Sequence, residues 1–269
     1  MLFRSQVEIP QNFSQVLIEN DDYTISCVGF SQDDWFFRAQ IETQNHSGST
    51  INVSIDFVSV EGLMSPAIGY DIVESNGIHT SEMVFDNQWI TDYIGAMPTW
   101  IGAQIAIYDG SSYELIQREL VDIYPLGEDN ALMITFTPDP ELNDTLYEDS
   151  EIGVYFAKGS EVRNTSAKSE WDEAFSFDMI LSNDTDKVLT FVANDVKVNG
   201  IDAIGLFWAC TLTPGTLADN GMTWYLTEIT ELGLSAADIS ELTFTLRAYD
   251  ANDFWADDVV NVPVTIHFQ

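Results

Sequence analysis

The sequence contains the same β-rich pattern twice. Residues 35–81 can be laid over residues 173–219 without a gap, with a constant spacing of 138 (183 minus 45). The identical pairs are Phe37 and Phe175, Asn45 and Asn183, Val58 and Val196, Val60 and Val198, Gly62 and Gly200, and Gly77 and Gly215. They fall at turns and at the inward positions of one strand, where a shared fold needs particular side chains. The chain is therefore predicted to consist of two copies of one structural unit.

One segment of each copy shows the two-residue period of a β-strand. In the first copy Ile51, Val53 and Ile55 alternate with polar residues, which is typical of a sheet with one side in water. The apolar residues change from odd to even positions after Phe57, and the second copy makes the same change after Ala193. A change shared by both copies predicts a β-bulge or a change of sheet at this point.

The fold class follows from several short amphipathic segments, separated by turns, in each copy of ~110 residues. We predict an all-β protein of two tandem immunoglobulin-like antiparallel β-sandwich domains with minor short helices, near residues 87–94 and 227–239. The name describes architecture only, since the Cys, Trp and Cys pattern of antibody domains is missing. The predicted boundaries are an N-terminal extension at 1–15, one sandwich at 16–124, an ordered connector with a short strand at 125–144, and a second sandwich at 145–269.

The charge of the chain restricts its partners. Forty-four acidic residues against 9 basic ones give a formal net charge of -35. Nucleic acids and anionic membrane surfaces would be repelled, so neither nucleic-acid binding nor membrane insertion is predicted. The acidity indicates high solubility, with salt adaptation and calcium binding as alternative explanations.

The residues that usually perform catalysis are scarce. Cys27 and Cys210 align with Phe156 and Ile72 of the other copy, which predicts that both are small buried hydrophobes. None of the three histidines aligns with a histidine in the other copy. The sequence also contains neither a nucleophile elbow nor a zinc motif. We therefore predict that the protein is not an enzyme.

One acidic loop is the candidate metal site. It has the sequence DANDFWADD, from Asp250 to Asp258. Asp250 matches Asp109 of the first copy, which indicates a structural role in a turn. Closely spaced oxygen ligands suit calcium, so the alternatives are a solvated loop and a calcium site. The ligands of that site would be Asp250, Asn252, Asp253, Asp257 and Asp258. No other cofactor is predicted.

Two aromatic residues in the same loop, Phe254 and Trp255, are the candidate ligand-binding residues. An exposed indole ring can serve as a flat platform for a ligand. Trp208 and Trp224 align with Tyr70 and Phe85 and are predicted to be core positions that both copies share.

The second copy resembles a known repeat. The segments LSNDTDKVLTFVANDVKVNG, TPGTLADNGMTW and ISELTFTLRAYDANDFWADD are similar to a repeat of secreted or lipid-anchored proteins from gut Firmicutes. Residues 145–268 match this repeat well and residues 16–124 match it loosely. The resemblance implies an extracellular or cell-surface location and carries no catalytic residue, although the chain as given begins without an export signal.

These observations predict a non-enzymatic, extracytoplasmic tandem β-sandwich that acts as an adhesion, spacer or ligand-presenting module, with a protein or a glycan as partner. The alternative is a carbohydrate-binding module that uses loop aromatics, with or without help from calcium. A glycoside-active enzyme is the third and least favoured hypothesis, because paired carboxylates are expected by chance in so acidic a chain.

Overall fold

The computed structural model describes Pro10 and residues 12–95, 97–203, 208–253 and 255–268. Strands dominate and the helices are short, which confirms the predicted all-β sandwich class. The chain divides into two compact units, Met1–Ile134 and Thr135–Gln269, here called unit 1 and unit 2. The division falls inside the predicted connector at 125–144.

Unit 1 is built from two antiparallel sheets. Its strands are β1 (Gln15–Glu19), β2 (Tyr23–Gln32), β3 (Phe36–Asn45), β4 (Ile51–Val60), β5 (Leu63–Met64), β6 (Gly69–Val73), β7 (Ile78–Asp86), β8 (Ile101–Asp109) and β9 (Leu115–Ile123). One sheet has the order β1-β2-β3-β7. In the other, β4 pairs with β5 and β6 at one edge and with β8 at the other, and β8 pairs with β9.

The core of unit 1 lies between these sheets. Every second residue of the central strands points inward, and both sheets contribute large apolar side chains such as Phe37, Ile41, Ile55 and Ile105. Each such side chain stabilises the fold by roughly 1.5–3 kcal/mol through its removal from water. After β7 the chain forms helix α1 (Asn87–Trp89), which continues as a π-helical turn.

Unit 2 repeats this arrangement, with the counterparts of β3 and β7 each divided into two shorter strands. They are β10 (Asn143–Glu148), β11 (Ile152–Ala157), β12 (Val162–Arg163), β13 (Glu173–Phe177), β14 (Met179–Asn183), β15 (Leu189–Val198), β16 (Ile201–Asp202), β17 (Ala209–Leu212), β18 (Thr216–Asp219), β19 (Met222–Tyr225), β20 (Glu241–Asp250) and β21 (Val260–His267). The ladders are β10-β11-β14-β18, β12-β13-β19 and β15-β20-β21, with β16 and β17 also on β15. Helix α2 (Leu226–Glu231) follows β19.

The change of apolar phase in the sequence is a β-bulge in both units. The β4–β8 register shifts between Asp56 and Ser59, and the β15–β20 register shifts between Asn194 and Lys197. Inside the bulge, Phe57 of unit 1 has a left-handed φ of 51°. Its counterpart Asp195 has a φ of 52°. The predicted bulge is therefore confirmed in both copies.

Beyond the short strands β5 and β16, the two copies no longer correspond at the spacing of 138. Ile55 lies opposite Gly69, whereas the equivalent Ala193 donates its backbone N–H to Trp208 O. Unit 2 therefore has one additional residue between Ala203 and Trp208, and later positions correspond at a spacing of 139 (208 minus 69).

This shift corrects three predicted correspondences. Trp208 is the counterpart of Gly69 and not of Tyr70, which is 57% exposed and no core residue. Cys210 is the counterpart of buried Asp71 and not of Ile72, because Asp71 and Cys210 occupy the same register position on β6 and β17. Gly215 matches Asn76, and both have left-handed backbone.

The connector also differs from its prediction in one respect. Residues 131–136 were expected to include a short strand, but they carry no strand pairing. Single hydrogen bonds hold this stretch instead, from Leu132 N to Thr99 Oγ1 and from Ile134 N to Glu61 O. The predicted strand was wrong because an apolar run alone does not distinguish a ladder from an extended segment with isolated contacts.

Candidate functional site

The acidic loop of unit 2 joins β20 to β21 and is held by hydrogen bonds from its own backbone. Asp250 Oδ1 accepts from Asn252 N at 2.9 Å, and Asp253 Oδ1 accepts from Trp255 N at 3.2 Å. Short side chains that bond to the backbone two residues later form Asx turns. The result is an ordered loop that presents the Trp255 side chain, 90% exposed, to solvent. Phe254 lies outside the described residues.

The predicted calcium ligands of this loop have different neighbours. Asp258 forms a bidentate ion pair with Arg247, at 2.6 and 2.8 Å, and also accepts from Asn261. The guanidinium bonds lower the pKa of Asp258 and keep it ionised. Among the described residues, no three His, Cys, Asp or Glu side chains are grouped to hold a metal ion. Calcium binding by Asp250, Asn252, Asp253, Asp257 and Asp258 stays a prediction.

Two further indoles are also highly exposed, and the sequence reasoning singled out neither of them as a binding residue. The Trp35 side chain is 74% exposed and the Trp171 side chain is 77% exposed. Trp35 N donates to Asp33 Oδ1 at 2.7 Å, and Trp171 N donates to Ser169 Oγ at 3.3 Å. Together with Asp253 and Trp255, these pairs share the pattern Asp or Ser, any residue, Trp. That pattern was the available signal in the sequence.

A groove lies beside Trp171 on unit 2. Its volume is about 610 Å³, and its lining includes Val162, Arg163, Asn164, Trp171, Phe175 and Ser176. The Arg163 guanidinium lies 5.3 Å from the centre of the Phe175 ring. It also donates to the carbonyl oxygens of Ala236 and Ile239. The groove thus combines apolar rings with fixed polar groups, a composition common in ligand sites.

The groove and the acidic loop lie at opposite ends of unit 2. Arg163 bonds to Ile239, just before β20 begins at Glu241, whereas the acidic loop starts where β20 ends, at Asp250. Ten residues of extended strand span about 33 Å. A small ligand therefore cannot contact Trp171 and Trp255 of one unit together.

The cysteines are buried, as predicted. Cys27 and Cys210 are free thiols with almost no exposed surface. Desolvation raises the pKa of each thiol to about 12. Both thiols are therefore protonated at neutral pH and are poor nucleophiles.

One histidine has a buried partner. His79 Nδ1 lies 2.6 Å from Asp71 Oδ1, which also accepts from Ile72 N. Asp71 is 5% exposed, and the described residues offer no hydrogen-bond partner to its Oδ2. The imidazole itself is mostly exposed.

Comparison with known proteins leaves the function open. No protein-family model matches the chain, and no curated protein matches it. Among solved structures, red sea bream transglutaminase aligns over 93% of this chain and 32% of its own length, with 9% identity and a TM-score of 0.26. The YadV chaperone aligns over 85% of this chain and 92% of its own, with 9% identity and a TM-score of 0.24. This chain thus spans about a third of the transglutaminase, and both likenesses are too distant to support an argument.

The described residues contain no helix that is both long enough and apolar enough to cross a membrane. The longest, α2, has six residues.

Proposed function

We propose that this chain is a non-enzymatic, extracytoplasmic tandem β-sandwich that binds a ligand on another surface through its loops. One observation carries the proposal: Trp35, Trp171 and Trp255 are the three most exposed large apolar side chains among the described residues. Each of them has its backbone N–H bonded to the side chain two residues earlier. Exposed indoles on ordered loops suit recognition, because little entropy is lost when the ligand binds.

The framework supports the same proposal. The bulge and the strand order occur in both units, so those features belong to the sandwich itself. The exposed tryptophans lie outside the strands, where side chains are free to change without loss of the core. The extracytoplasmic location rests on the resemblance of residues 145–268 to a secreted repeat.

The test is a comparison of the full chain with a triple variant, Trp35→Ala, Trp171→Ala and Trp255→Ala. Both are applied to an array of purified glycans and extracellular matrix proteins. We expect the wild type to be retained on one class of probe and the triple variant to lose at least tenfold in affinity. The control is Ile68→Ala, which removes a comparably exposed apolar side chain outside these loops. Equal retention of the triple variant and the wild type contradicts the proposal, provided that circular dichroism shows both to be folded.

Carbohydrate binding is the second candidate function. The groove beside Trp171 favours it, because an indole face, a fixed guanidinium and an amide lie together there. Sugars combine apolar C–H faces with hydroxyl groups and need both kinds of contact.

A further inference from the structure

Trp35 and Trp171 occupy equivalent loops of the two units. Trp35 O accepts from Asn87 N at 2.9 Å, and Asp172 O accepts from Leu226 N, also at 2.9 Å. Asn87 and Leu226 are counterparts, since each is the first residue of the helix that follows the last strand of its sheet. The β-bulge between Glu173 and Phe175 adds one residue to unit 2, so before it the spacing is 137 (172 minus 35) and Trp171 lies one residue before the counterpart of Trp35.

An arginine also stacks on a phenylalanine close to each loop, although the two pairs occupy different positions, because Phe175 is the counterpart of Phe37 and not of Phe36. The Arg38 guanidinium lies 5.2 Å from the centre of the Phe36 ring in unit 1. In unit 2, Arg163 lies 5.3 Å from the centre of the Phe175 ring.

Two carboxylates close to these indoles along the chain, Asp33 and Asp172, are already engaged. Asp33 accepts from the backbone of Trp35 and Phe36 and pairs with Arg38 at 2.8 Å. Asp172 accepts from the backbone of Lys168 and Ser169. These hydrogen bonds lower the pKa of both carboxyls. A basic peptide would have to break these bonds to pair with Asp33 or Asp172, whereas the indoles are exposed to solvent.

The net charge of the chain further restricts the class of ligand that can bind. A formal charge of -35 repels sulfated glycans, uronic acid polymers and nucleic acids. A neutral sugar avoids this repulsion. Its apolar C–H face can lie on the exposed indole.

We propose that Trp35 of unit 1 and Trp171 of unit 2 each form a site for a neutral glycan, so that the chain binds a repetitive polysaccharide at two points. This inference rests on the proposed binding function and specifies its ligand. Two linked sites on one polymer raise the overall affinity by ~10²–10⁴ over a single site. The duplication of the unit then has a functional consequence, since it supplies the second site.

The experiment uses the full chain in calorimetric titration with hexasaccharides of β-linked glucose, xylose and N-acetylglucosamine. We expect one of these sugars to bind with two sites per chain. Trp35→Ala and Trp171→Ala should each reduce the number to one, and the double variant should bind none. On the insoluble polymer of the same sugar, either single variant should lose affinity by ~10²-fold or more. Ile68→Ala is the matched control and should behave as the wild type does.

Two results would overturn the inference. A single site removed by one variant alone would refute the second site and leave the binding function intact. Failure of all three neutral hexasaccharides, with heparin or a polylysine probe bound instead, would refute the ligand class. The array experiment separates this failure from failure of the proposed function. If array binding still depends on the tryptophans, only the ligand class is refuted. If it does not, the proposed function is refuted as well.

Discussion

The same three register positions are polar in unit 1 and apolar in unit 2. In unit 1, His79 lies opposite Thr43 on β3 and contacts Asp71 on β6. In unit 2, Leu181 replaces Thr43, Cys210 replaces Asp71 and Ala218 replaces His79. Thr43 Oγ1 and Asp71 Oδ2 are buried and have no hydrogen-bond partner among the described residues. The sandwich therefore forms without this polar cluster, which costs stability where it occurs.

One buried asparagine, in contrast to the polar cluster, is present in both units with the same hydrogen bonds. Asn45 Nδ2 donates to the backbone oxygens of Ser49, Val73 and Glu74. Asn183 Nδ2 makes the same three bonds in unit 2, to the oxygens of Lys187, Leu212 and Thr213. Both side chains tie a turn to the edge strand that packs beside it. Two copies that retain all three bonds indicate that the framework requires them.

The largest expected effect is the loss of this asparagine. Asn45→Ala and Asn183→Ala should each lower the free energy of unfolding by about 3 kcal/mol, because three buried or part-buried carbonyl groups lose their donor. Urea titration of the full chain measures this change, with Thr80→Ala, at an exposed position of β7, as control. Changes below about 1 kcal/mol in both variants would show that the shared bonds are not a framework requirement.

A smaller effect is expected at the polar cluster. His79→Ala should cost about 1–2 kcal/mol, since it leaves buried Asp71 without its imidazole partner; exposure of the imidazole limits the loss. The triple variant Thr43→Leu, Asp71→Cys and His79→Ala installs the residues of unit 2. It should be at least as stable as the wild type in the same urea titration. A triple variant less stable than His79→Ala would mean that the cluster stabilises unit 1.

The smallest effect concerns the turn that both units place after β8 and β20. Asp109 Oδ1 accepts from the backbone and hydroxyl groups of Ser111 and Ser112, and these bonds lower its pKa from 3.8 to about 2. Because the folded pKa is depressed, the stabilisation is complete above pH 3.8 and is lost as the pH falls towards 2. The thermal midpoint of Asp109→Asn should therefore lie below that of the wild type at pH 6.

The difference in thermal midpoint between the wild type and Asp109→Asn should disappear as the pH approaches 2. Melting curves followed by circular dichroism measure it. Asp250→Asn in unit 2 is the matched variant, and its change at pH 6 should be smaller because Asp250 Oδ1 accepts from the backbone of Asn252 without two serine hydroxyls beside it. A gap for Asp109→Asn that stays constant with pH would contradict the assigned cause.

Much of the framework could be predicted from the sequence because it follows local rules. Alternation along β4 marked the strand, and the phase change after Phe57 marked the bulge, since inward positions must be apolar. The one-residue insertion before Trp208 could not be seen, because it falls between two strands and changes no local pattern. It misplaced Tyr70 and hid the replacement of Asp71 by Cys210.

The candidate site was predicted less completely. The exposure of Trp255 followed from its acidic, turn-rich surroundings, and the structure places it at the solvent. Trp35 and Trp171 were not singled out, because the pattern that they share with Trp255, an Asp or Ser two residues before the Trp, gains its meaning only from the hydrogen bonds of the folded loops. The contact of Arg163 with Phe175 joins two different strands and left no mark on spacing or composition.

The most direct test is fluorine NMR of the full chain labelled with 5-fluorotryptophan, which gives a separate probe at each of the seven indoles. The titrant is the neutral hexasaccharide that binds most tightly in the calorimetric experiment. The account predicts that the signals of Trp35 and Trp171 shift with sugar concentration, while those of buried Trp208 and Trp224 stay in place. Saturable binding that leaves both the Trp35 and Trp171 signals unmoved would contradict it.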